Sequence, residues 1–100
     1  LNEVEQLLRE AEADVTLGSD ECMRLMVEFG NDSVLQGFVA ESNQFKADIK
    51  LLQVQLRRLK QEIPSVERNA KLQIFLAQVK ATRLSAGRFK ERVMEISRND

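Results

Sequence analysis

A chain of 100 residues, 43% hydrophobic and 31% charged, is long enough for one domain with a modest core and too apolar to stay disordered. Its apolar runs are only a few residues long, far short of the roughly 18–20 that a spanning helix needs, and no signal-peptide pattern opens it. The net charge of −1 fits nucleic acid poorly.

One proline, four glycines and no Trp or Tyr favour long helices over sheets. The first predicted helix covers residues 1–29, with Leu1, Val4, Leu8, Ala11, Val15, Gly18, Cys22, Leu25 and Phe29 on the a and d positions of a heptad repeat. Its middle, Leu17-Gly18-Ser19-Asp20, has the composition of a loop. The apolar register nevertheless stays in phase on both sides of it, which predicts one unbroken helix. Gly30 then closes this helix, and Ser33, with Gln36 three residues on, opens the next.

The second helix, residues 33–63, carries Leu35, Phe38, Ser42, Phe45, Ile49, Leu52, Leu56, Leu59 and Ile63 in the same slots. Pro64 disfavours helix at the residue before it, and Ser65 caps the third helix, residues 65–98. There the stripe is Leu72, Phe75, Val79, Thr82, Ala86, Phe89, Val93 and Ile96, widened by Ile74, Leu76, Ala77, Ala81 and Leu84.

Three such helices joined by short turns predict an all-α, antiparallel up-down-up three-helix bundle with coiled-coil-like packing. The first and third helices then run parallel. Residues 1–30 hold eight acids and two bases, whereas residues 64–100 hold four acids and eight bases, so the two ends of the chain complement each other inside the bundle. Antiparallel pairing across the turns brings Cys22, Ser42 and Ala86 to one thin level and sets Phe45 over Gly18. The chain opens on Leu1 rather than Met, and residues 1–100 read as a single helical-bundle domain cut from a larger protein. One cysteine cannot close an internal disulfide and points to a cytoplasmic setting. The architecture is similar to that of spectrin repeats, BAG domains and the N-terminal bundles of syntaxins, a likeness of fold alone that implies no shared activity.

Catalytic chemistry finds little to work with. The chain has no histidine, the commonest general base and transition-metal ligand. Cys22 sits on the inward stripe beside Asp20 and Glu21, where acids raise a thiol pKa. The four glycines are scattered rather than gathered in a phosphate loop. These features predict a protein that is not an enzyme and uses no metal or cofactor.

What remains is surface. Leu51, Val54, Ile74 and Leu84 lie off the inward stripe, and Arg57, Arg58, Arg88 and Arg92 form two basic clusters beside them. These eight residues are the candidate partner-binding set of a scaffold, adaptor, trafficking or cytoskeletal module that takes a helical or acidic segment of another protein between its helices. The alternatives are a coiled-coil segment forming a homodimer, and peripheral attachment of the basic third helix to an anionic membrane.

Overall fold

The heptad stripes become three α-helices in the computed structural model, which describes residues 1–99: α1, Asn2–Phe29; α2, Ser33–Gln61; and α3, Val66–Arg98. They alternate in direction, giving an all-α, up-down-up bundle about 53 Å long. No strand occurs among the described residues, and no described helix is long and apolar enough to cross a membrane.

α1 is continuous through Gly18, as its unbroken register requires. It ends at Gly30, whose φ of 82° suits a residue without a Cβ and turns its N–H onto the Met26 carbonyl at 2.8 Å. The cap of α2 is Asp32 rather than Ser33, which is the first helical residue. The Asp32 carboxylate accepts the Val34 N–H at 3.3 Å. α2 also stops at Gln61, two residues before the predicted end, because the chain is already extended at Glu62. Ile63, expected as the last inward residue, is therefore exposed. Ser65 caps α3 by accepting the Arg68 N–H at 3.0 Å. The Arg68 guanidinium reaches back to the Leu59 carbonyl, also at 3.0 Å, as a second donor beside the Glu62 N–H at 3.3 Å.

The core forms three stacked clusters. Val4, Leu8, Leu52, Leu56, Leu59, Phe75 and Val79 fill the end near the second turn. Ala11, Val15, Ile49 and Ala86 form the middle. Cys22, Leu25, Leu35, Phe89 and Val93 close the end near the first turn. The thin level is thus built from Ala11 and Ala86, with Cys22 a layer away among large side chains. Small residues line the seam between α1 and α3, and these two helices pack closely along it. α1 packs less closely on α2, and α2 and α3 barely approach each other.

This asymmetry overturns the expected partner of Gly18. A Cβ at Gly18 would lie 2.6 Å from Phe89 Cε2 and 3.4 Å from the Lys90 Cα, so the ring over the glycine comes from α3. Phe45 stands behind it, with ring centroids 5.5 Å apart, and Phe38 meets it edge-on at 6.1 Å. The sequence pairing assumed equal spacing among the helices, whereas the small residues draw α3 onto α1 and leave Phe45 to fill the space that remains.

The end-to-end charge asymmetry is met in part inside the bundle. Arg83 of α3 bridges Glu10 at 3.1 Å and Asp14 at 2.7 Å, and Lys90 approaches Asp14 at 3.4 Å. Glu5 pairs with Lys60. Hydrogen bonds from Lys60, Arg83 and Arg24 hold the carboxyls of Glu5, Glu10 and Glu21, respectively, below their ordinary range. A carboxyl depressed in the folded state stabilises the fold above its unfolded pKa and loses that contribution as pH falls through the folded value. Denaturation midpoints should therefore hold steady near neutrality and decline as the pH falls below 4.5, the ordinary carboxylate value. Arg83→Gln should flatten the Glu10 part of that decline.

Gly37 supplies a contrasting test. It lies within α2, exposed, with nothing within 4 Å of the place its Cβ would occupy. Gly37→Ala should raise stability by about 1 kcal/mol through helix propensity alone, read as a higher denaturant midpoint at unchanged slope.

Candidate functional site

Because α2 and α3 stand apart, a shallow trough runs between them. Three adjoining hollows trace it. One of about 320 Å³ is lined by Gln55, Arg58 and Leu59 from α2 and by Lys71, Ile74 and Phe75 from α3. The next, about 290 Å³, shares Gln55 and Gln78 with the first and adds Asp48, Leu51, Leu52 and Thr82. The last, about 130 Å³, continues past Asp48 to Gln44, Phe45 and Glu41. From Glu41 to Leu59 the trough covers roughly 27 Å of α2 by helical rise.

Its chemistry changes along its length. The floor is apolar, formed by Phe45, Leu52, Leu59 and Phe75. Leu51 and Ile74 stand on opposite rims, 62% and 65% exposed. Gln55 and Gln78 make the middle neutral. Two pairs tie the helices together across the trough: Lys71 with Glu62 at 3.0 Å near the second turn, and Arg92 with Glu41 near the first. Between these ties lie Asp48, which accepts the Gln44 amide at 2.9 Å, and Arg58. Neither belongs to an ion pair with another described residue.

The eight sequence-picked residues do not form one site. Leu51, Arg58 and Ile74 border the trough, and Val54, 36% exposed, lies one turn from Leu51 on the outer face of α2. Arg57 is exposed beside Arg58, outside these hollows. Leu84, 56% exposed, and Arg88 belong instead to a hollow of about 570 Å³ beside α1, where Asp14, Arg83 and Lys90 meet. That hollow is the larger, but it is lined mainly by charged side chains, several of which are already paired. Arg92 borders it too, although its guanidinium is engaged with Glu41 and lies 5.8 Å from the centre of the Phe38 ring. Ile74, which a widened core would have buried, is exposed.

The sequence reading left Gln55, Gln78, Thr82 and Lys71 out of the candidate set. Polar residues carry little signal in a hydrophobic period. The spacing of Gln55 from Leu51, and of Lys71 and Gln78 from Ile74, three or four residues on the same helix face, marks them in retrospect, whereas Thr82 was expected on the inward stripe and is half-buried at the edge of the trough. Cys22 is buried, and its thiol donates to the Leu35 carbonyl at 3.3 Å. Burial pushes that thiol's pKa up, away from the thiolate that nucleophilic chemistry uses. Among the described residues, no three His, Cys, Asp or Glu side chains stand close enough to share a metal ion.

No protein-family model, curated protein or solved structure matches the chain.

Proposed function

We propose that the chain is a non-catalytic, cytoplasmic interaction module of the scaffold or adaptor kind, which accepts a helical segment in the trough between α2 and α3. The observation that carries this reading is the uneven packing of the bundle. α1 holds α3 tightly and α2 adequately, while the α2–α3 side keeps an apolar floor under exposed Leu51 and Ile74. An amphipathic helix seated there would bury the aliphatic rims and the partly covered Phe45 at once, in the manner of helix-in-groove recognition. Single exposed aliphatic residues are ordinary on a protein surface; the support lies in their flanking one continuous trough.

Capture from a cell extract tests the reading. The wild-type chain and Arg88→Glu, altered on the other face of α3, should retain the same partner. Leu51→Asp with Ile74→Asp should lose it, with helicity unchanged. Equal capture by the trough double variant would refute docking in the trough.

A further inference from the structure

We infer that the face bearing this trough is covered by a second copy of the same chain, lying antiparallel across the first with α2 against α2 and α3 against α3. The inference rests on the docking reading above for its apolar face, and gives that face a second copy in place of a single seated helix.

Charge order along the trough carries it. The free acid, Asp48, and the free base, Arg58, lie on one face of α2, about 15 Å apart by helical rise. Leu51 and Gln55 lie between them, and Ile74 and Gln78 face them from α3. A two-fold axis in the plane of the contact and perpendicular to the helices inverts this order. Asp48 of each copy then meets Arg58 of the other, Leu51 meets Gln55, and Ile74 meets Thr82. Gln78 falls near the axis, where an amide can both donate to and accept from its own symmetry mate. Such a contact is isologous: one patch completes itself, and each favourable charge pair occurs twice.

The other two-fold arrangement, with its axis along the helices, keeps each level opposite itself. It sets the Arg58 level of one copy against the same level of the other, and the Asp48 level against the Asp48 level. Like charges across an interface disfavour that docking. The pairs Lys71–Glu62 and Arg92–Glu41 neutralise the two extremes of the trough, so Asp48 and Arg58 set the direction.

Sedimentation equilibrium of the purified chain tests the inference. The wild-type chain should dimerise reversibly, and less strongly as salt rises. Asp48→Arg alone should face Arg58 with arginine, and Arg58→Asp alone should face Asp48 with aspartate. Each is expected to weaken dimerisation about tenfold, since the altered contact occurs twice and reversal replaces attraction with repulsion. An equimolar mixture of the two single variants restores both pairs and should dimerise like wild type, as should the Asp48→Arg, Arg58→Asp double variant. Unchanged melting of both single variants at low concentration shows that the fold is intact.

A wild-type chain that stays monomeric at the highest soluble concentration overturns the second copy. Docking of another protein's helix then stands or falls on the extract capture with the Leu51→Asp, Ile74→Asp variant. A dimer that ignores the charge reversals yet dissociates on that variant overturns the antiparallel arrangement while keeping the face. A dimer insensitive to all of these variants overturns both readings.

Discussion

Phe89→Ala is expected to lower stability by about 3–5 kcal/mol, the range for removing a fully buried aromatic ring. Phe89 is wholly inaccessible to solvent and is among the largest side chains so buried. It stands at a point where all three helices meet: Gly18 of α1 lies against it, and Phe38 and Phe45 of α2 pack on it. Its removal costs hydrophobic transfer, two aromatic contacts and a cavity that helices held by Ala11 and Ala86 have little freedom to close. A denaturant titration should show a lower midpoint at unchanged slope. A loss below about 1 kcal/mol, the typical cost of any point substitution, would mean that Phe89 does not occupy this junction.

Gly18→Leu should be the next most damaging change and acts on the same junction from the opposite side. Even the first added carbon would approach Phe89 Cε2 to 2.6 Å and Cδ2 to 3.1 Å. The ring cannot retreat, because Phe38 and Phe45 lie behind it. The Lys90 Cα, 3.4 Å from the same point, leaves no room for the rest of a leucine side chain on that side. Replacing a helical glycine ordinarily gains up to about 1 kcal/mol. Overpacking of a filled core typically costs about 1–3 kcal/mol, occasionally more, and a whole leucine belongs at the upper end, so the net effect is destabilising. Melting of Gly18→Leu at or above the wild-type temperature would contradict close approach of α1 and α3. Because Gly18 and Phe89 touch, Gly18→Ala combined with Phe89→Leu should cost less than the two changes separately.

The heptad register made the helices and their inward faces readable in advance, including the continuity of α1 through Leu17-Gly18-Ser19-Asp20. A period states which side of a helix turns inward; it does not state which neighbour takes up most of that side. In a three-helix bundle each stripe is shared between two partners, and here Ala11, Gly18 and Ala86 decide the division by letting α1 and α3 come together. Reading the helices as equally spaced therefore placed the wrong phenylalanine over Gly18 and put Cys22 on the level of Ala86. The same cause hid the trough. Leu51 and Ile74 stood out as aliphatic residues off the stripe, but whether they would lie under a neighbouring helix or beside a gap depended on how far α2 stands from α3.

Local signals were sharper where a single residue type governs the backbone. Gly30 turns the chain after α1 and Ser65 caps α3, each for a reason visible in the residue itself. Asp32 and Ser33 are both good caps, so the choice between them was not legible. α2 stops two residues early with Glu62 already extended, and the Leu59 carbonyl accepts both the Glu62 N–H and the Arg68 guanidinium, the second a tertiary contact that no local pattern announces.

Helix α1 holds the fold together and leaves the α2–α3 side as an open surface. Thermal melting of the Leu51→Asp, Ile74→Asp double variant, at concentrations low enough to keep the chain as a single copy, tests this most directly. Exposed positions usually tolerate substitution within about 0.5 kcal/mol each, so the variant should melt cooperatively, close to the wild-type temperature. A loss of several kcal/mol, or of cooperative melting, would place both side chains in the core and remove the trough.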